Sequence, residues 1–203
     1  MSTTVAPARQ PLKLPAGSVR ALLAMIIAGL FWLLLLPAEK QIPIPLFLYF
    51  LAGMVLMFFV AHGNSISSAG QPPPWGLPRG TFRFLLIVGT IAVLAAHFYF
   101  RHSSPLPRLV PAAEQLQQWP NLTIALFGGL SLGWLVGRGP WRYSAVFQDF
   151  QAWVSIVAMI GLAAEVIILL FINPSLEENP PVDLRVFESV LTGIIAWYFG
   201  SRS

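Results

Sequence analysis

Polarity along this chain comes in blocks. Six apolar runs occupy 19–36, 44–62, 82–100, 121–137, 151–172 and 184–200, and the polar segments between them are short and rich in proline. The runs are apolar on every face and approach the roughly 20 residues that a helix needs to cross a bilayer. In lipid every backbone polar group must be satisfied within a helix or a closed barrel, and barrel strands are short and alternate in polarity, so the pattern predicts helices. Proline marks each break: Pro37, Pro43 and Pro45, then Pro72 to Pro74, then Pro105 to Pro120, then Pro140, and finally Pro174, Pro180 and Pro181. It lacks an N–H and ends helices. The expected fold class is all-α: a polytopic membrane protein of six transmembrane helices arranged as three hairpins. The fourth run is short and the sixth opens with Asp183, Arg185 and Glu188, so these two depart furthest from an ideal span.

A repeat underlies the blocks. Leu14 to Arg20 reads LPAGSVR and Leu77 to Arg83 reads LPRGTFR, each running into an apolar stretch. Proline ends the preceding linker, glycine permits the turn, and Ser18 or Thr81 is placed to cap orphan amides of the first helical turn. Arg20 and Arg83 then sit where long side chains reach anionic headgroups. The run ends also rhyme, at Val60-Ala61-His62-Gly63, Leu135-Val136-Gly137-Arg138 and Tyr198-Phe199-Gly200-Ser201-Arg202. The organisation is a polar tail over 1–18, hairpin 1 over 19–63, a Pro/Gly-rich inner loop over 64–79, hairpin 2 over 80–138, an inner loop over 139–150 and hairpin 3 over 151–203. All three units face the same way, and the third has lost its heptad, which marks a parallel duplication.

Composition fits this picture, since 56% of residues are hydrophobic and 10% charged, a balance that no water-soluble core of this size would hide. Cysteine is absent, which excludes disulfides, thiolate chemistry and Cys-based zinc sites. The formal charge of +4 comes from basic residues scattered singly at the ends of runs, so nucleic acid is not an expected partner. Sorted by side, Arg9, Lys13, Arg20, Arg79, Arg83, Arg138, Arg142 and Arg202 share the face of both termini, against Lys40, Arg101, Arg108 and Arg185 opposite. The positive-inside rule then places the termini in the cytoplasm. No small-x-small site follows Leu36, so the first run is expected to stay as a span and not to be cleaved as a signal.

The start Gly17 to Ala24, GSVRALLA, together with the finish Tyr198 to Ser203, YFGSRS, resembles a loose group of bacterial hairpin membrane proteins of unassigned activity. The resemblance covers only those short ends. It implies a bacterial inner membrane and carries no activity with it.

Few residues are out of place in lipid. Glu165 interrupts an apolar run with a carboxyl group, which costs about 2.5 to 3.5 kcal/mol at a helix centre unless it is protonated, paired or turned to a polar cavity. It shares a face with Ser155, Ala158 and Gly161, which favours a protein contact. Its role is either an interhelical hydrogen bond or the carriage of a proton or cation, the latter requiring it to face Ser155, Thr192 or Glu188. Gly129, Gly133 and Gly137 form a doubled GxxxG stripe that calls for close helix packing, within the monomer or between copies. His62, His97 and His102 do not fall at ligand spacing on one helix face, so no metal is expected. His97 follows Ala95 and Ala96, which leaves room for a flat haem or chlorophyll ring, although an interfacial histidine beside Phe98, Tyr99 and Phe100 is the simpler account. Most tryptophans, Trp75, Trp119, Trp134, Trp141, Trp153 and Trp197, fall near run boundaries, as an aromatic belt does. Residues 112–119 suggest a surface helix of about two turns confined by Pro111 and Pro120. The segment Gln71 to Pro78 reads as a stiff linker.

No nucleophile–base pair, metal cluster or phosphate loop is present, so a non-enzymatic protein is expected. The leading expectation is a structural or assembly subunit of a larger bacterial membrane complex, partnered by the lipid bilayer and by other membrane subunits or further copies of itself. The alternatives are a proton- or ion-conducting subunit using Glu165 and a pigment- or haem-binding accessory subunit using His97.

Overall fold

The computed structural model describes residues 18–36, 42–61, 78, 80–101, 106–176 and 182–201. Among the described residues, six long helices make up the fold: α1 Ser18–Leu35, α2 Leu46–Ala61, α3 Thr81–Arg101, α4 Trp119–Gly137, α5 Ala145–Ile167 and α6 Arg185–Ser201. Four segments are long and apolar enough to cross a membrane: Ser18–Leu35, Thr81–Phe100, Gln115–Gly137 and Ala145–Ser175. The apolar stretch of α2, Leu46–Phe58, is shorter. Helix α6 has 17 residues, about 25 Å at 1.5 Å per residue, and opens on charged groups.

Helix boundaries follow caps more closely than polarity. Helix α4 starts at Trp119, not 121, because Pro120 lies in the first turn, where a missing N–H leaves no bond unmade. The expected surface helix over 112–119 is reduced to a 3-10 turn, Gln115–Gln118, that runs into α4, with a second such turn at Leu106–Leu109. Helix α5 starts at Ala145, not 151, since the Ser144 hydroxyl accepts from the Phe147 amide at 3.1 Å and nucleates the helix ahead of polar Gln148 and Asp149. At its far end Pro174 does not stop the chain. The ring would clash with a regular i−4 carbonyl, and the helix widens into a π turn at Ile168–Ile172 before continuing through Asn173–Ser175.

The heptad before α3 closes differently from the expected cap. The Thr81 hydroxyl donates to the Pro78 carbonyl at 2.7 Å, so it ties off the turn and does not accept from a first-turn amide. Gly80, at φ 90, supplies the conformation that other residues rarely adopt.

Two helices organise the rest. Helix α1 packs against α2, α3 and α5, and α6 packs against α2, α4 and α5. Between them lies the core, with Leu23 and Ile27 of α1, Phe47 and Leu51 of α2, and Ile195 and Phe199 of α6 all buried. Hairpins 1 and 3 therefore close on themselves, but hairpin 2 does not: among the described residues α3 and α4 have no substantial contact, α3 lying on α1 and α4 on α6. The glycine stripe explains this splaying. Its close match is the backbone of α6, and that contact outcompetes the sequence neighbour.

Candidate functional site

The seam between α5 and α6 holds most of the buried polar side chains. The helices run antiparallel there, with Gln151 beside Ser201, Gly161 beside Leu191 and Glu165 beside Glu188. On α5 the buried positions are Gln151, Ala152, Ser155, Ala158, Leu162 and Glu165, recurring mainly at steps of three and four, so the seam is one helical face. Gly161 lies half-buried at its edge, its α-carbon against the Leu191 side chain.

Glu165 is 1% exposed, and neither of its carboxyl oxygens receives a hydrogen bond. The Glu188 carboxyl, 7% exposed in the first turn of α6, stands within hydrogen-bonding reach of it. Two carboxylates are both acceptors, so no bond joins them without a proton. The other two expected partners do not serve. The Ser155 hydroxyl donates to the Ala152 carbonyl at 2.6 Å, and the Thr192 hydroxyl donates to the Glu188 carbonyl at 2.7 Å.

Glu188 also lines an open cavity of about 310 Å³ together with Gln118, Leu169, Val182, Asp183, Leu184 and Arg185. At its mouth Asp183 accepts from the Arg185 amide at 3.0 Å, steadying the start of α6, and its carboxylate lies 3.7 Å from the Arg185 guanidinium. Both side chains of that pair are more than half exposed, so water screens it. The Gln118 carbonyl oxygen, on the cavity wall, is buried without a partner. On the other side of Glu165 the seam is apolar through Leu162, Leu191, Ala158 and Ile195. Of the two hydroxyls buried along this stretch, Ser155 and Thr192, each donates to a carbonyl of its own helix, and the next polar contact between the two helices is the Gln151 amide donating to the Ser201 hydroxyl at 2.8 Å.

The glycine stripe faces α6. A β-carbon on Gly129 would strike the Gly193 carbonyl, one on Gly133 the Trp197 carbonyl, and one on Gly137 would come 2.7 Å from the Ser201 carbonyl. These pairings advance together along both chains, so α4 and α6 run parallel at backbone contact distance. Ala158 is buried within the seam.

The two anchor arginines differ: Arg83 is exposed at the start of α3, whereas Arg20 is half-buried in the first turn of α1. His97 is 2% exposed and is the one buried residue among the described side chains of α3, while Phe98, Tyr99 and Phe100 are exposed. Its Nδ1 has no hydrogen-bond partner. Among the described residues no three His, Asp or Glu side chains converge as a metal site. His62, His102, Trp75, residues 1–17, the linker 71–77 and residues 202–203 lie outside the described residues.

Arg108 entered the sequence reading only as one of the four basic residues opposite the termini, and its structural role went unread. Its guanidinium donates to the carbonyls of Leu34 at 2.6 Å, Leu35 at 3.0 Å and Leu36 at 2.8 Å, capping the end of α1, and its own carbonyl accepts from the Tyr49 hydroxyl at 3.4 Å. Only the flanking prolines, Pro105 and Pro107, hint that this loop is held.

Comparison with protein-family models, with curated proteins and with solved structures returned no match.

Proposed function

We propose that the protein is a non-enzymatic multi-pass protein of the bacterial inner membrane, crossing six times with both termini cytoplasmic and working as a packing subunit of a larger membrane assembly. One observation carries this reading: α3 is held on one side and bare on the others. The Trp32 ring of α1 lies over Gly89, and its Nε1 donates to the Thr90 hydroxyl at 3.1 Å. Elsewhere α3 presents Phe84, Ile87, Ile91 and Phe98 outward, with a single buried residue among its described side chains. A helix tethered through a few contacts is suited to seating a neighbouring span between itself and the bundle.

The test is site-specific photo-crosslinking from Ile87 in the native membrane. Adducts of one defined protein mass support a subunit, and adducts of twice the chain's mass make the assembly a homo-oligomer. Adducts with lipid alone overturn the reading.

A second reading, ion conduction through Glu165, is favoured by one observation, its placement against Glu188 beside an open cavity. The apolar stretch from Leu162 to Ala158 stands against passage through the seam. A proton flux in proteoliposomes that disappears in Glu165→Gln supports this reading, and flux equal to that of protein-free vesicles sinks it.

A further inference from the structure

We infer that Glu165 and Glu188 form a proton-binding site loaded from one side, through the cavity that Glu188 shares with Gln118, Asp183 and Arg185. The inference needs neither a partner subunit nor a conducting path, and rests only on the α5–α6 seam.

The geometry supplies three independent reasons. First, Glu165 is buried and both its oxygens lack a donor, so as a bare carboxylate it would stand without compensation in the helix seam. Second, the group within its reach is another carboxyl, and two ionised carboxylates at that distance repel strongly, whereas one proton between them makes a short charge-assisted O–H···O bond. Third, Glu188 alone of the two lines the open cavity, so a proton arriving there has a route to Glu165 that crosses a single hydrogen bond.

The charged groups around the pair point to a proton in preference to a metal ion. Arg185 and Asp183 stand at the mouth, and a guanidinium on the cavity wall disfavours a second fixed cation beside it. Gln118 contributes an uncharged carbonyl oxygen from the start of α4. Helix α1, also packed on α5, carries Arg20 in its first turn as its one titratable residue. No third acidic side chain completes a metal shell among the described residues.

Beyond Glu165 the route closes. Leu162, Ala158 and Ile195 are each fully buried, the intervening Ser155 and Thr192 hydroxyls donate to carbonyls of their own helices, and the next polar contact between the helices, Gln151 with Ser201, is ten or more residues along each. The proton therefore leaves by the path it entered, and its arrival changes the repulsion between the facing ends of α5 and α6. Protonated, the pair draws those ends together; deprotonated, it drives them apart.

The full chain in proteoliposomes, stepped in pH under infrared difference spectroscopy, tests this. Wild type should show a protonated-carboxyl band, sensitive to deuterium exchange, that is lost in one step as pH rises. Glu165→Gln should abolish the band and Glu188→Gln should move the step. Adding sodium, potassium, magnesium or calcium at fixed pH should leave the band unchanged, and the vesicles should hold an imposed pH gradient as long as protein-free ones do. Absence of the band at every pH overturns the inference, as does a band that survives both substitutions. A band displaced by one of the metal ions makes the site a metal site and also overturns it. A proton leak removed by Glu165→Gln overturns the one-sided access and returns the pair to the conduction reading. If Glu165→Gln fails to fold, the wild-type titration and Glu188→Gln decide alone.

Discussion

The α-carbon of Gly133 abuts the backbone of Trp197, with no space between them for a β-carbon. Gly133→Val should therefore separate α4 from α6 and lower stability by about 1 to 3 kcal/mol, the usual cost of overpacking a filled interior. Gly128, five residues earlier and on a different face of the same helix, has open space where its β-carbon would go, so Gly128→Ala is the control and should be close to neutral. Thermal melts of both variants in detergent micelles check the pair. Equal melting temperatures would contradict backbone contact at Gly133.

Arg108 binds three successive carbonyls at the end of α1, groups that no helical N–H can satisfy. Replacing it with Met keeps much of the apolar stem and removes the donors, and should cost about 1.5 to 3 kcal/mol, the range for hydrogen bonds to a charged group. Arg108→Lys should recover only part of this, because a single ammonium lacks the planar fork. Hydrogen exchange at the last turn of α1 should accelerate in Arg108→Met and leave the middle of the helix unchanged.

The Gln151–Ser201 bond joins the two ends of hairpin 3, yet interhelical hydrogen bonds in membrane proteins average only about 0.6 kcal/mol. Ser201→Ala should thus be mild. It also leaves the Gln151 amide the Ser201 carbonyl at 3.4 Å as a substitute. A double-mutant cycle with Gln151→Leu should return a coupling below about 2 kcal/mol, and a larger value would show that this pair holds the seam together.

Pro174 is the physical cause of the π turn at Ile168–Ile172, so Pro174→Ala should let regular i→i−4 bonding resume. Amide exchange across 168–172 should slow. Unaltered exchange there would mean that tertiary contacts, and not the proline, widen the helix.

How much of this could be read from the residues differs between levels. The six helices are legible because the apolar blocks are mostly apolar all round and are separated by proline, the charged start of the sixth excepted. Their starts are less so: Ala145, Val146 and Phe147 are cut off from the apolar run by Gln148 and Asp149, and only the Ser144 cap, a local backbone event, reveals that the helix has begun there. Gly129, Gly133 and Gly137 announce a close contact, but spacing on one helix is silent about which neighbour supplies it. That α4 meets α6 and not α3 is therefore seen only in the structure. Glu165 stands out by its cost in lipid, and Glu188 was one of three groups expected opposite it. What decided among them was where the Ser155 and Thr192 hydroxyls point, toward carbonyls of their own helices, which composition does not encode. Arg108 was invisible because an arginine in a loop looks alike whether it meets water or the end of a helix.

The parallel pairing of α4 with α6 also sets an order of assembly. During synthesis α4 emerges before its partner exists, so its glycine face stays unpaired while α5 and the following loop are made. Its neighbour in the chain, α3, is already engaged with α1 and offers no shelter. The fold thus stays unlatched until α6 arrives, and the helix that opens with the carboxyl of Glu188 is the one that completes it.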